Sequence, residues 1–209
     1  MKQKIWAAID IGTNSVRLLL KQKIENTWEE KKFVCITQLG QGLSQRKHLC
    51  DQAMQRTQQA VIQFAKMAVE KGAQKPIWCY ATSAARQADN GKDFLNRLTQ
   101  SGWVTAELLS GEEEAEVAYI GSQAKGNPVL DVGGGSTELT IERNHMISGE
   151  SIPLGCVTLK EKYLTEDPML VEQREMLLKD CFAHTKKLTN SILTDGRAKD
   201  IVGDRKSVV

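Results

Sequence analysis

The chain has 209 residues, of which 41% are hydrophobic and 26% charged, which is typical of a globular protein with one large or two small domains. Its formal net charge of +2 excludes the strongly basic field of many nucleic-acid-binding proteins, so we expect no nucleic-acid partner. The five cysteines are widely spaced and form no CxxC pair, which favours reduced thiols over disulfides or a metal site.

The N-terminal residues, Met1 to Lys4, lead directly into a predicted strand and contain no signal-peptide core. No apolar run in the chain reaches the length needed to span a membrane. We therefore expect a cytoplasmic protein without a membrane partner.

The first half of the chain predicts three strands followed by alternating helices and strands. Apolar residues from Ala53 to Ala68 recur at helical spacing, and Gly72 provides a stop. In chain order we predict strands at 5–9, 16–21 and 32–38, a helix at 51–71, a strand at 76–81, a helix at 92–100, a strand at 104–109 and a helix at 112–123. This order predicts an α/β fold with a mixed sheet flanked by helices.

A glycine-containing turn separates the first two predicted strands. Glycine permits a tight turn with uncovered amide groups, and such a concave nest of donors can bind phosphate. The turn residues Gly12, Thr13, Asn14 and Ser15 are therefore predicted to bind phosphate, while Asp10 would hold Mg²⁺ or its waters. An ordinary hairpin is the alternative interpretation of this turn when it is taken alone.

The same pattern recurs 121 positions later in the chain. Asp10, Gly12 and Ser15 match Asp131, Gly133 and Ser136, which makes an ordinary hairpin a weaker interpretation. The second set of predicted phosphate-binding residues is Gly133, Gly134, Gly135, Ser136 and Thr137. The repeat predicts a duplication, with domains at residues 1–126 and 127–209.

Five motifs together resemble the exopolyphosphatase/guanosine pentaphosphate phosphatase family. They are Ala8–Ser15, Ala81–Arg86, Leu109–Ala115, Val129–Thr140 and Pro153–Val157, in the family's order. The resemblance implies two actin-like, ribonuclease H-like domains with an active site in the cleft between them. It also implies hydrolysis of terminal phosphoanhydride bonds of inorganic polyphosphate, guanosine pentaphosphate or both.

The resemblance also implies roles for individual residues. Glu114 matches the family's catalytic glutamate, which would orient and deprotonate the attacking water, whereas Glu112 and Glu113 are explained by the preference for acidic residues at a helix N-terminus. Asp10, Asp131 and Glu138 would form a Mg²⁺ site. Arg86 would grip a phosphate, with a surface salt bridge as the alternative, and Arg17 is a weaker phosphate-binding candidate.

Two other functions remain open at this point. A phosphotransferase of the sugar- or acetate-kinase type shares both turns, and a non-catalytic module for polyphosphate or guanosine tetraphosphate needs only the phosphate-binding residues. Relatives continue beyond the length of this chain, so we expect an incomplete second domain with an unpaired sheet edge. We expect a homodimer that covers this edge, with marginal stability of the chain as the alternative.

Overall fold

The computed structural model describes residues 4–124, 126–164, 166–193 and 202–204. The chain divides into two compact units, Met1–Leu109 and Ser110–Val209, and each is considered by itself. In the described part of the chain, no helix is both long and apolar enough to cross a membrane. All five cysteines are free, and burial raises the pKa of the Cys79 thiol.

The first unit contains a five-stranded sheet in the order β3-β2-β1-β4-β5, and this sheet is mixed, as the sequence predicts. β1 pairs antiparallel with β2 and parallel with β4. The strands are β1 (Ile5–Ile11), β2 (Ser15–Ile24), β3 (Thr27–Ile36), β4 (Ile77–Ala81) and β5 (Val104–Leu108), and the helices are α1 (Leu43–Arg46), α2 (Asp51–Glu70), α3 (Ser83–Gln87) and α4 (Gly91–Gln100).

One face of this sheet forms the main hydrophobic core. Alternate strand residues point to the same face, so Ile9, Ile11 and Leu18 are buried together. The apolar stripe of α2, including Val61 and Phe64, belongs to the same cluster. The apolar face of α2 and the apolar face formed by β1 and β2 therefore pack together in a single layer.

The second unit repeats the beginning of this topology. Its sheet has the order β8-β7-β6-β9, with β6 antiparallel to β7 and parallel to β9. The strands are β6 (Val129–Val132), β7 (Thr137–Arg143), β8 (Met146–Ile152) and β9 (Val202–Asp204), and the helices are α5 (Gly111–Ser122), α6 (Cys156–Tyr163) and α7 (Val171–Leu193). The matching strand order supports the predicted duplication.

Helix α5 packs on the second sheet. The Thr140 hydroxyl donates a hydrogen bond of 3.2 Å to the carbonyl of Ala115. A Cβ atom added at Gly149 would lie 2.3 Å from the Cβ atom of Ala115, so the helix lies directly against β8. The division between the units therefore falls before α5, whereas the sequence placed the domain boundary after residue 126.

Helices α6 and α7 are joined by a polar cluster around Asp180. Its carboxylate accepts hydrogen bonds of 2.8 Å from Lys162 Nζ and from Tyr163 Oη. These bonds hold the pKa of Asp180 below its usual range and raise the pKa of Lys162 to about 12. Helix α7 spans Val171–Leu193, and this cluster is one of its attachments to the unit.

The contact between α5 and β8 predicts a sharp difference between two glycine substitutions. Gly149→Ala is expected to lower the free energy of unfolding by about 1–3 kcal/mol, because its Cβ would overlap Ala115. Gly121→Ala is the matched control, because its Cβ meets nothing within 4 Å, and helix propensity favours alanine there by up to about 1 kcal/mol. Urea unfolding of both variants measures the difference, and equal destabilisation would contradict this packing.

The Asp180 cluster predicts a pH-dependent contribution to stability. A lowered pKa in the folded state stabilises the protein at pH values above the ordinary aspartate pKa, and this contribution is lost as the pH falls through the lowered value. Asp180→Asn is expected to cost about 1 kcal/mol at neutral pH, because both partner hydrogen bonds are weakened. Urea unfolding at about pH 7 and about pH 3 should show that the difference in free energy of unfolding between the variant and the wild type is smaller at the lower pH. An equal difference at both pH values would contradict the lowered pKa of Asp180.

Candidate phosphate-binding site

The first glycine turn connects β1 to β2 and is closed by its own backbone. The amide of Gly12 donates a hydrogen bond of 2.9 Å to the carbonyl of Ser15. A Cβ atom at Gly12 would lie 3.3 Å from that same oxygen, so a larger residue would press on the turn. Thr13 and Ser15 are both buried, which fixes the turn within the unit.

The chain segment that follows β3 holds this turn by its carbonyl oxygens. The amides of Thr37 and Gln38 donate to the carbonyl of Asn14 at 3.0 and 2.9 Å. The amide of Gly40 donates to the carbonyl of Thr13 at 2.9 Å, and a Cβ at Gly40 would lie 2.3 Å from Thr13 Cγ2. The carbonyl oxygens of the turn are therefore occupied by protein donors.

The amide groups of the first turn have a different role. Within the described residues, the backbone amides of Thr13 and Asn14 donate to no protein acceptor. Consecutive amides in a turn whose carbonyls are held elsewhere form a nest for an anion. The amides of Thr13 and Asn14 are thus the donors that this turn could offer to an anion, and phosphate binding by Gly12, Thr13, Asn14 and Ser15 stays a prediction.

The second turn, between β6 and β7, has the same internal geometry. The amide of Gly133 donates to the carbonyl of Ser136 at 2.9 Å, which is the counterpart of the bond from Gly12 to Ser15. A Cβ atom at Gly133 would lie 3.0 Å from the Ser136 oxygen. Among the residues that the structure describes, the amides of Gly134 and Gly135 donate no hydrogen bond to protein.

The segment after β8 holds the second turn, and Gly155 lies at the point of closest contact. The amide of Cys156 donates to the carbonyl of Gly133 at 3.0 Å, and that of Val157 donates to Gly134 at 2.9 Å. A Cβ atom at Gly155 would lie 2.3 Å from the carbonyl atoms of Gly134. Sequence reasoning noted the motif at 153–157 but assigned no site role to Gly155.

Thr137 contributes to the same attachment. Its hydroxyl donates a hydrogen bond to the carbonyl of Leu154, the residue before Gly155. We predicted this hydroxyl as a phosphate donor from the sequence, and in the structure it connects the turn to the segment that holds it. Ser136 is buried beside it.

Two predicted metal ligands, Asp131 and Glu138, are neighbours in the second sheet. They are directly opposite each other in the β6–β7 pair, so their side chains share one face. Both are almost completely buried, with exposed fractions of 2% and 1%. The Ser151 hydroxyl donates a bond of 2.9 Å to Glu138 Oε1, which orients that carboxylate.

The third predicted ligand, Asp10, has a different partner. It is opposite Arg17 in the β1–β2 pair, and the distance from Asp10 Oδ2 to Arg17 Nη1 is 3.9 Å. Arg17 occupies the position that Glu138 occupies in the second unit. The first turn therefore carries an ion pair where the second turn carries two carboxylates.

The predicted three-carboxylate metal site is not assembled as one cluster in the described part of the chain. No group of three or more His, Cys, Asp or Glu side chains there is arranged to hold a metal ion. Asp131 and Glu138 are brought together, and Asp10 belongs to the other unit. The Mg²⁺ site remains a prediction.

Three consecutive glutamates begin α5, and their environments differ. Ser110 caps the helix: its hydroxyl accepts a bond of 3.1 Å from the Glu113 amide, and the Glu113 carboxylate accepts one of 2.8 Å from the Ser110 amide. This bond from the Ser110 amide lowers the pKa of Glu113. Glu112 and Glu113 are exposed, whereas Glu114 is half-buried. Glu113 therefore takes part in the cap of the helix, and Glu114 is the least exposed of the three glutamates.

The N-terminus of α5 is adjacent to the carboxylate pair. A Cβ atom at Gly111 would lie 3.2 Å from the Cβ of Ser151, whose hydroxyl donates to Glu138. Ser151 thus contacts both the beginning of the helix that carries Glu114 and the buried carboxylate of Glu138. Three of the predicted site residues, Glu114, Asp131 and Glu138, belong to one unit.

Arg86 lies in α3 and is half-buried. Its Nη1 donates a hydrogen bond of 2.9 Å to the carbonyl of Leu109. Leu109 in turn donates its amide to the carbonyl of Ala81 at 2.9 Å. Arg86 is therefore attached to the residue that precedes Ser110 and the cap of α5.

Comparison with known proteins connects these features to one family. The model of the Ppx/GppA phosphatase family matches residues 28–209. Exopolyphosphatase 2 of Mycobacterium tuberculosis is 32% identical over 187 residues, which are 80% of this chain and 57% of that protein. The chain thus spans little more than half the length of this relative.

Solved structures show the same fold. A Ppx/GppA family member from Aquifex aeolicus has a TM-score of 0.66 at 28% identity, over 83% of this chain and 59% of that one. An exopolyphosphatase-like protein has a TM-score of 0.82 at 27% identity, over 95% and 65%. An exopolyphosphatase from Cytophaga hutchinsonii, at 24% identity and a TM-score of 0.84 over 95% and 66%, supports the fold alone.

These likenesses confirm the predicted fold class of duplicated actin-like, ribonuclease H-like domains. They agree with the repeated strand order and with the two turns that share one hydrogen-bond pattern. The chain belongs to the Ppx/GppA phosphatase family.

Proposed function

We propose that this chain carries the site for hydrolysis of terminal phosphoanhydride bonds in inorganic polyphosphate or guanosine pentaphosphate. Membership of a phosphatase family supports the reaction class, and the name of the Mycobacterium tuberculosis relative supports polyphosphate as the first substrate to test. Both turns present paired amides suited to phosphate oxygens.

One observation carries the proposal. Glu114 is half-buried in the first turn of α5, the helix that packs on the second sheet. The glycine turn between β6 and β7 of that sheet has two amides that donate no hydrogen bond to protein among the described residues. A phosphate-binding nest and a fixed carboxylate are the two components that water attack on a phosphoryl group requires. A sugar-kinase-type transfer would need an acceptor hydroxyl in place of the water.

The mechanism follows from these positions. The turn amides would bind oxygens of the terminal phosphoryl group and stabilise the charge that develops on them. Glu114 would accept a proton from a water molecule, which attacks phosphorus in line with the leaving oxygen. A P–O bond to water forms, the phosphoanhydride P–O bond breaks, and the shortened polyphosphate leaves with the negative charge.

The residues fit a magnesium ion in the second unit. Mg²⁺ is commonly held by one or two carboxylates together with waters and substrate phosphates, and Asp131 and Glu138 offer two hard oxygen donors on one face. When bound, the ion would act as a Lewis acid on phosphate oxygens.

The arginines complete the proposed site. Arg86, whose Nη1 donates to the Leu109 carbonyl, carries a planar guanidinium of the kind that grips phosphate oxygens, and we propose that role for it. Arg17 faces Asp10 at the first turn and would compensate its charge there. We further propose that both turns bind one phosphate chain in an interdomain cleft, as the family resemblance implies.

Glu114→Gln tests the catalytic carboxylate. The variant keeps the size of the side chain and removes the base, so we expect kcat for phosphate release to fall by about 10²–10⁴-fold with little change in KM. Release from polyphosphate and from guanosine pentaphosphate is measured in the presence of Mg²⁺. A phosphorylated acceptor without free phosphate would instead indicate a transferase.

Glu112→Gln is the matched control, because Glu112 is exposed in the same helical turn and does not form the Ser110 cap. It should retain wild-type turnover. Equal loss in both variants would assign the effect to the charge at the helix N-terminus, and undiminished turnover in Glu114→Gln would contradict the proposed base.

Gly155→Ala tests whether the geometry of the second turn matters for phosphate binding. The added Cβ would overlap the carbonyl atoms of Gly134, so the turn must shift, and we expect KM to rise by about 10- to 100-fold. Gly203→Ala is the control, because its Cβ meets nothing within 4 Å. Kinetics are measured at a temperature where circular dichroism shows both variants folded. Unchanged KM in folded Gly155→Ala would refute the role of this contact.

A further inference from the structure

Arg56 of α2 contacts the chain segment that holds the first glycine turn. Its Nε donates a hydrogen bond of 3.1 Å to the carbonyl of Thr37, and its Nη2 donates one of 3.1 Å to the side-chain oxygen of Gln41. Arg56 is half-buried. We call residues 37–41 the support segment. A single guanidinium therefore bonds to both ends of the support segment.

The support segment contains a residue in an unfavourable backbone conformation. Gln38 has a φ of 51°, in the left-handed region that residues other than glycine rarely adopt. The amide of Gln41 donates 3.0 Å to the carbonyl of Gln38 and closes a turn there, with Leu39 buried in the core. Such a conformation persists only where surrounding contacts determine it. The bonds from Arg56 to either side of Gln38 are contacts of this kind.

The peptide group between Thr37 and Gln38 connects Arg56 to the glycine turn. Its carbonyl oxygen accepts the bond from Arg56, and its amide donates a bond of 2.9 Å to the carbonyl of Asn14. Because the peptide group is planar, a guanidinium that fixes its oxygen also fixes the direction of its N–H. Arg56 is therefore connected to Asn14 through one rigid group and a hydrogen bond at each end of it.

The support segment also contacts Thr13, the neighbouring residue of the turn. The amide of Gly40 donates 2.9 Å to the Thr13 carbonyl, and an added Cβ at Gly40 would lie 2.3 Å from Thr13 Cγ2. The Thr13 carbonyl and the Asn14 amide belong to one planar peptide group. The position of the support segment therefore determines the direction of the Asn14 amide, which donates to no acceptor in the described part of the protein.

We propose that Arg56 is a positioning residue for phosphate binding at the first turn, acting through the support segment on the Asn14 amide. This inference rests on the proposed function, in which that turn binds phosphate. Both bonds from Arg56 end on neutral oxygens, so the geometry uses the planar shape of the guanidinium. Sequence reasoning assigned no role to Arg56, because the two contacts lie 19 and 15 positions away.

Arg56→Lys separates shape from charge, because lysine keeps the positive charge and lacks the planar fork that makes both bonds. For polyphosphate hydrolysis with Mg²⁺ we expect KM to rise about tenfold, and the Kd of polyphosphate measured by calorimetry to rise equally. We expect kcat to stay within about twofold, since the first turn contributes binding and Glu114 the proposed base. Lys66→Gln is the matched control, because it removes a positive charge from an exposed position of the same helix and should keep the wild-type KM.

Amide hydrogen exchange tests the connection without any substrate. The amides of Gln38 and Gly40 donate to the turn, and in Arg56→Lys they should exchange at least about tenfold faster than in the wild type. Lys66→Gln should leave both rates unchanged. Gln41→Ala removes the second bond of Arg56, so it should raise KM in the wild type and add nothing in Arg56→Lys.

The outcomes separate this inference from the proposed function. Wild-type KM in a folded, active Arg56→Lys would overturn the inference whatever the exchange rates, while the proposed function would stand. A fall in kcat without a rise in KM would also overturn it, because loss of folded protein alone has that effect. An equal rise of KM in Lys66→Gln would assign the effect to charge. A wild type that neither binds nor hydrolyses polyphosphate would overturn the proposed function, and the phosphate role of Arg56 with it.

Discussion

The candidate site depends on the way in which both glycine turns are held by their carbonyl oxygens. After β3, the amides of Thr37, Gln38 and Gly40 bond to the first turn, and after β8 the amides at the beginning of α6 bond to the second. Because the peptide unit is planar, a fixed carbonyl of one residue also fixes the amide of the next residue, which is Asn14 in the first turn and Gly134 and Gly135 in the second. These amides are therefore oriented before an anion arrives, which is the preorganisation that the proposed phosphate binding and charge stabilisation would require.

The duplication preserves this backbone arrangement while the side chains opposite the aspartates have diverged. Asp10 faces Arg17 across the first hairpin, and Asp131 faces the carboxylate of Glu138 across the second. The two turns thus share one backbone hydrogen-bond pattern, whereas the side-chain pair beside the turn is an ion pair in the first unit and two carboxylates in the second, where Glu114 is also located. The proposed Mg²⁺ chemistry therefore belongs to the second unit.

Sequence patterns predicted most of the elements because strand alternation and helical spacing are local signals. Helix α2, α5 and the first hairpin are confirmed, with ends shifted by few residues. The N-terminal half of β3, from Thr27, was missed because its residues are charged and exposed on both faces. Gly155 and Ser151 were not identified as site residues, because their roles arise from contacts with residues distant in sequence. The same reason explains why α5, adjacent to β5 in sequence, was assigned to the first domain.

Burial distinguishes one of the three glutamates at the beginning of α5. Glu112 and Glu113 are exposed and Glu114 is half-buried, while Ala115 and Tyr119 are buried. The Ser110 cap uses Glu113 and fixes the first residue of the helix. Close contact of Gly111 with Ser151 and of Ala115 with Gly149 then fixes the rotation about the helix axis. Because Glu114 lies between these two contacts, its backbone position is determined from both sides, as the proposed alignment of a water molecule by this residue would require.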